Sequence, residues 1–158
     1  MIIRICRKLS KKMNQYYIKN NELCEINTIK KMDNNNIVDY ILKSNFKNRF
    51  INYCGRNKIN ENILFYLEIE LYQKCNSKFK RRLSTHIYDK YLRDDSQFQI
   101  NICNQTKLKI EESSSLNEKF NDAALHIKGL LTERAKHFLE EMEKEIEKEI
   151  FNHKKKHT

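Results

Sequence analysis

Cysteine and histidine are the residue types in this chain that could hold a metal or serve as nucleophile and base, and their spacing argues against both roles. His153 and His157 have the i,i+4 spacing of metal ligands on a helix, but three consecutive lysines separate them and indicate a solvated terminus. The cysteines are widely spaced and form no CxxC pair, which favours reduced thiols. They are Cys6, Cys24, Cys54, Cys75 and Cys103. We therefore predict no metal, no cofactor and no active site of the chain's own.

Polar residues at the edges of apolar segments are the other candidates for binding chemistry. Glu61 and Asn62 open a long apolar segment, and Asn101 lies between two isoleucines. A carboxylate accepts hydrogen bonds, whereas an amide both donates and accepts them without adding charge. Structural roles are equally typical of these positions. Glu61 would be an acid in the first turn of a helix capped by Asn60, and Asn101 would be a turn or cap residue.

The elements that must position these residues are predicted to be helices. The chain contains no Pro and only two glycines, Gly55 and Gly129, whereas sandwiches, barrels and α/β folds need many Gly- and Pro-rich turns. Its 158 residues suit one compact domain with a modest tail. Apolar residues make up 39% of the chain, enough to fill one core. The predicted fold class is all-α.

Apolar spacings of three and four residues divide the chain into helices. Residues 37–53 show such spacings up to a turn at Gly55 and Asn57. Residues 61–75 are apolar nearly all round, which is typical of a helix buried in a bundle. Further helices are predicted at residues 79–92, 120–131 and 132–151, and polar stretches at 93–99 and 113–115 separate the first of these from the second.

The first 20 residues have the pattern of a basic amphipathic helix, with six basic side chains and no acid. One side of this helix is apolar, and the other carries Arg4, Arg7, Lys8, Lys11, Lys12 and Lys19. Residues 21–35 are rich in Asn and Lys and predict a polar linker that ends in a helix cap.

The net charge of +10 is concentrated at the start of the chain. Residues 1–60 have a balance of +9 and residues 61–158 a balance of only +1. A basic total of this size suggests nucleic acid, but the near-neutral remainder argues against a nucleic-acid partner. If the chain did bind nucleic acid, the binding would fall steeply with salt concentration and would disappear on deletion of residues 1–20. No apolar run approaches the ~20 residues that a membrane span needs.

Five landmarks in order resemble the signature of the regulator of G-protein signalling (RGS) domain family. The resemblance begins at residues 50–53 and 60–67, which are similar to an aromatic-rich helix followed by Glu-Asn-hydrophobic-x-Phe-Trp, with Tyr66 in place of Trp. It continues at residues 87–92, 100–102, 120–124 and 138–139. It implies an RGS-like bundle of about nine helices in two lobes at residues 36–151. The basic helix 1–20 and the linker 21–35 precede this domain, and a basic tail, 152–158, follows it.

The resemblance implies a GTPase-activating protein for GTP-bound Gα subunits, not an enzyme. A Gα carries its own arginine finger and its own water-orienting Gln. An RGS surface that binds the switch loops in their transition-state arrangement lowers the barrier to hydrolysis. A tenfold acceleration requires only ~1.4 kcal/mol of differential binding.

Four positions match the family's Gα-contact residues directly. Glu61 and Asn62 match the Glu-Asn pair that contacts the switch loops at the start of the buried helix. Asn101 matches the Asn that reaches into the Gα active site. Leu130 matches an apolar contact residue, although core packing explains a leucine there equally well.

Two further positions match only with a gap. The family has a contact acid and a contact Arg on its last helices. These align near Glu133 and His137 if the alignment has a gap of one residue between Leu131 and Phe138. Without that gap, Arg134 takes the position of the acid. Ile59 also replaces a small polar contact residue. These departures leave a second function open, namely an RGS-like scaffold that binds a partner without activating its GTPase.

The basic start has three interpretations that the sequence leaves open. The first is an anchor on the anionic inner face of the plasma membrane, where each basic residue gains ~1 kcal/mol and palmitoylation of Cys6 would add to the attachment. The residues of this predicted anchor are Cys6, Arg4, Arg7, Lys8, Lys11 and Lys12. The second is a mitochondrial transit peptide, and the third is a helix that packs on the bundle. The predicted location is cytoplasmic, with peripheral attachment to the plasma membrane.

Overall fold

The computed structural model describes the backbone of residues 2–155 and the side chains of residues 10–155. This part of the chain is all-helical, as predicted, and contains no strand. Its seven helices are α1 Ile2–Lys30, α2 Asn34–Lys43, α3 Lys47–Arg56, α4 Asn60–Lys74, α5 Ser77–Tyr91, α6 Asn104–Glu112 and α7 Asn121–Lys155.

α7 is one continuous helix of 35 residues, whereas the sequence predicts two helices, 120–131 and 132–151. The predicted break lies at Thr132, whose hydroxyl donates to the Lys128 carbonyl at 2.9 Å without interrupting the helix. The segment is dominated by Leu, Glu, Lys and Ala, which are strong helix formers, and it has no Pro. The described part of the chain therefore has fewer helices than the nine that the resemblance implies.

Both groups of helices in the bundle pack on α7. The first group, α1 to α3, contacts it directly, as do α4 and α6 of the second group, while α5 packs on α4. Phe138 meets Phe50 and Tyr53 of α3 with ring centroids 5.3 and 5.4 Å apart. Nearer the start of α7, Phe120 meets Tyr72 of α4 at 5.2 Å. Aromatic contacts thus fix α3 and α4 at different heights along α7.

α4 is the buried central helix that the sequence predicts. Six of its residues are buried, and it contacts α3, α5 and α7. Near its end, the Gln73 side chain donates to Asn121, the first residue of α7, at 3.2 Å. At its start, Asn60 lines a groove together with Phe138 of α7. α4 is therefore antiparallel to α7, and its first turn lies beside the middle of α7.

Residues 21–30 are part of α1, so the predicted linker is wrong over this range. Ile26 and Ile29 are fully buried, and Lys30 Nζ lies 2.6 Å from a carboxylate oxygen of Glu143 on α7. This segment is polar in composition, but Leu23, Ile26 and Ile29 follow one another at intervals of three residues and form an apolar stripe that faces the core.

The helix cap predicted after the linker is confirmed. Asp33 caps α2, because its carboxylate accepts from the Asn35 N–H at 2.9 Å. At the other end, α7 continues to Lys155, so residues 152–155 of the predicted basic tail are helical. No helix in the described part of the chain is both long and apolar enough to cross a bilayer.

Candidate functional site

Asn101 lies in the loop between α5 and α6, at the end of the bundle where α4 begins. α5 returns along α4, so that the rings of Phe65 and Tyr91 meet edge to face at 5.4 Å. The Ile100 N–H donates to the Tyr91 carbonyl at 2.9 Å, and the Ile100 side chain is buried. Asn101 is exposed, and its amide bonds to no residue whose side chain is described. An anchored loop thus presents an unused amide.

The first turn of α4 presents Glu61 and Asn62. Asn60 is the first residue of this helix rather than its cap, and Ile59 takes the cap position without a side-chain hydrogen bond. The predicted capping by Asn60 is therefore wrong. Asn62 is only 9% exposed. Its amide bonds to no residue in the described part of the chain, yet its polar atoms are not sealed from the surface.

The free N–H groups of this first turn add to its binding capacity. A helix start leaves backbone donors without intrahelical partners, and no side chain satisfies them at α4. Glu61 is half-buried and forms no ion pair among the described residues. The turn therefore offers a carboxylate, an amide and backbone donors to a binding partner.

Leu130, Glu133 and His137 lie on one exposed face of α7, because residues three, four and seven apart share a side of a helix. Leu130 is 41% exposed, so it does not pack in the core, the alternative that the sequence left open. Glu133 lies 2.8 Å from Lys136, which lowers the Glu133 pKa. His137 lies 3.9 Å from Glu140. The two titratable candidates thus already have partners on their own helix.

Arg134 lies on the side of α7 that faces the end of α3. Burial raises the pKa of Tyr53, and raises that of Cys54 to about 12, while the Arg134 guanidinium opposes both shifts. Arg56 also opposes the shift at Tyr53. The Tyr53 ring lies 5.4 Å from that of Phe138, one turn after Arg134 on α7. Lys58 follows in the turn to α4, in the left-handed conformation with φ 56°. Sequence analysis missed Arg56 and Lys58, although both closely precede the Glu-Asn pair.

Asp39 ties together the helices that carry these groups. The Tyr66 hydroxyl donates to Asp39 Oδ1 at 2.7 Å, and Lys128 Nζ donates to Oδ2 at 2.7 Å. α2, α4 and α7 are joined in this way. Burial alone would raise the Asp39 pKa, but the bonds from Lys128 and Tyr66 outweigh it, and the pKa lies below its usual value. Tyr66, which stands at the family's Trp position in the resemblance, thus makes a polar contact through its hydroxyl.

Replacing Asp39 with Asn is expected to lower the free energy of unfolding by about 1–3 kcal/mol at neutral pH. Because the folded-state pKa lies below the unfolded one, the carboxylate stabilises the fold above about pH 4, and this contribution is lost as pH falls through the folded pKa. Urea unfolding at several pH values measures the difference. The exposed Asp89→Asn variant is the control. If the difference in free energy of unfolding between wild type and Asp39→Asn did not become smaller at acid pH, this role of the carboxylate would be contradicted.

Other groups that could do chemistry are scattered. The described residues hold no cluster of three or more His, Cys, Asp or Glu suited to a metal, and the four cysteines among them are free thiols. The His153 ring packs 5.7 Å from that of Tyr16. Of the predicted membrane residues, Lys11 and Lys12 are exposed on α1. The side chains of the other predicted anchor residues, Arg4, Cys6, Arg7 and Lys8, lie outside the described part of the chain, and so does His157 of the predicted histidine pair.

Comparison with known families agrees with this arrangement. The model for the regulator of G protein signaling domain matches residues 37–143, more than half of the chain. All six candidate contact positions lie within the match, whereas α1 precedes it. A search of curated proteins finds no match. With the family model aligned over the bundle from α2 into α7, the chain belongs to the RGS domain family.

Proposed function

We propose that this protein binds the switch regions of a GTP-bound Gα subunit and accelerates its GTP hydrolysis. RGS domains bind Gα subunits and activate their GTPase without being catalysts themselves. One observation carries the proposal for this chain. The first turn of α4 lies beside the middle of α7, the helix that also carries Leu130. The anchored Asn101 loop is bonded to Tyr91, whose ring contacts Phe65 of α4.

The proposed mechanism is binding without a donated acid or base. Asn101 would offer its donor and acceptor beside the catalytic Gln of Gα, without bringing charge near the phosphates. Glu61 and the Asn62 amide would hold the switch loops. Contacts that form only in the transition-state arrangement lower the barrier to hydrolysis. Because Ile100 already anchors the loop, less conformational entropy is lost when Asn101 binds.

Single-turnover GTP hydrolysis by a panel of Gα subunits, with and without this protein, tests the proposal. We expect at least tenfold acceleration for one member, which corresponds to ~1.4 kcal/mol of transition-state binding. The same panel, loaded with GDP and aluminium fluoride, gives the affinity for the transition-state analogue. If no member were accelerated and none bound in the analogue form, the proposal would be rejected.

A scaffold without GTPase activation is the second candidate. It is favoured by Glu133 and His137, which already pair with Lys136 and Glu140 on α7. An apolar residue, Ile59, also stands at the cap of α4. A pull-down distinguishes the two functions, because a scaffold retains Gα equally in its GDP and analogue-bound forms, whereas an activator prefers the analogue.

We also infer that the start of α1 attaches the protein to an anionic membrane surface. α1 packs on α7 through its second half, where Tyr16 meets His153. Residues 2–15 extend beyond this contact for about 20 Å, at 1.5 Å per residue. Residues 10–15 are all exposed. The packed second half supports the interpretation that α1 belongs to the bundle, and the exposure of residues 10–15, which include Lys11 and Lys12, supports the anchor.

Reversing charge on the free part of α1 is expected to weaken vesicle binding. Each basic residue near an anionic surface contributes ~1 kcal/mol, so Lys11→Glu with Lys12→Glu should reduce the partition coefficient by at least about tenfold. Cosedimentation with phosphatidylserine-containing vesicles measures this effect. A matched variant, Lys31→Glu with Lys47→Glu, changes net charge equally at two exposed sites elsewhere. Equal losses in both variants would show that net charge, not α1, drives binding.

A further inference from the structure

Three cations surround the start of α4 without partners of their own. Arg56, Lys58 and Arg134 are exposed, and no carboxylate in the described part of the chain lies within 4 Å of any of them. Arg56 ends α3, and Lys58 stands in the left-handed turn. Arg134 lies on α7 one turn before Phe138, whose ring is 5.4 Å from that of Tyr53 at the end of α3.

The neighbouring acids form no ion pair with these cations. Glu133 on α7 is engaged by Lys136 at 2.8 Å, and Glu140 lies 3.9 Å from His137. Glu61, in the first turn of α4, forms no ion pair with any described residue. Glu141 acts on the same buried Tyr53 ring and raises its pKa, but it is not paired with Arg134 either.

The same place has unused hydrogen-bond donors. The first N–H groups of α4 lack a side-chain cap, and the helix dipole makes them favourable to negative charge. The Asn62 amide, in a residue that is 91% buried, also lacks a partner among the described residues and is open to the surface. Three cations, free backbone donors and one amide thus converge on one edge.

We propose that Arg56, Lys58 and Arg134 bind acidic side chains of the Gα partner at the start of α4. This inference rests on the proposed function and adds the chemistry of the partner. The chain would select Gα subunits whose switch surface presents carboxylates opposite α7. Guanidinium groups bind carboxylates in two parallel hydrogen bonds, and complementary charge at the edge of an interface raises specificity and association rate. Arg134, which aligns without a gap to the family's contact acid, would then determine which Gα subunits are bound.

The test measures the affinity of Arg134→Glu and Arg56→Glu for a Gα loaded with GDP and aluminium fluoride, at low and moderate salt. The Gα is the panel member that binds the wild-type protein most tightly. We expect each variant to raise Kd by at least about tenfold and to weaken the salt dependence. Arg134→Lys should lose less affinity than Arg134→Glu, because lysine keeps the positive charge but not the two parallel hydrogen bonds. Arg82→Glu, at an exposed position on α5, is the control and should stay within about twofold.

The outcomes separate this inference from the proposed function. If the wild-type protein binds and Arg134→Glu and Arg56→Glu bind equally well or more tightly, the carboxylate site is rejected while the proposed function stands. If the wild-type protein binds no Gα in the panel, the proposed function fails and this inference fails with it. Melting temperatures of both variants should match that of the wild type, because neither arginine forms an ion pair with a described residue.

Discussion

Replacing Asn101 with alanine is expected to reduce the acceleration of GTP hydrolysis by at least about tenfold, equivalent to ~1.4 kcal/mol of transition-state binding. The physical reason is that the proposed contact forms fully only when the switch loops take the transition-state arrangement. The fold should be unaffected. Asn101 is exposed and bonds to no described residue, so its truncation leaves no buried group unsatisfied. Affinity for the GDP form of Gα should change less than affinity for the analogue form.

The measurement is single-turnover hydrolysis over a range of protein concentrations, which separates weaker binding from slower hydrolysis at saturation. Asn45→Ala is the matched control, since Asn45 is also an exposed residue in a turn without side-chain hydrogen bonds among the described residues. Equal acceleration by wild type, Asn101→Ala and Asn45→Ala would exclude Asn101 from the proposed mechanism. Loss of activity in both variants would instead indicate a general effect on folding.

Truncating Ile26 or Ile29 to alanine is expected to lower the free energy of unfolding by about 2–5 kcal/mol each. Both side chains are fully buried although they precede the matched RGS domain. Each truncation removes apolar contacts and leaves a cavity between α1 and the bundle. Since domains of this size are stable by only ~5–15 kcal/mol, the double variant should be close to unfolding. α1 is thus expected to be part of the folding unit.

Urea unfolding of the single variants gives these free energies without requiring the double variant to fold. Ile18→Ala is the matched control, because it makes the same chemical change on α1 at a side chain that is 54% exposed. Ile18→Ala should lower the free energy of unfolding by less than about 1 kcal/mol. If truncation at positions 18, 26 and 29 lowered the free energy of unfolding by equal amounts, α1 would not be packed on the bundle in solution. Removing residues 1–12 should leave stability nearly unchanged.

Local sequence patterns predict the all-α class and most helix positions. The absence of Pro and the scarcity of Gly exclude turn-rich folds, and periodic apolar residues define α4 and its neighbours. The RGS family also followed from motifs that are local in sequence, such as the Glu61–Asn62 pair before a buried aromatic segment. These signals are readable because each depends on residues close together in the chain.

Tertiary structure decided what depends on distant contacts. Ile26 and Ile29 looked like parts of a polar linker, because their burial depends on the packing of α1 against other helices, above all α7. The ion pair of Lys30 with Glu143 shows that this contact joins residues 113 positions apart. The continuous α7 is different, because the strong helix formers and the absence of Pro around residue 132 already favoured a single helix. The cationic edge formed by Arg56, Lys58 and Arg134 required α3 and α7 to meet around Tyr53. Burial and charge clustering arise from segments brought together in space, and a single sequence carries periodicity but not those pairings.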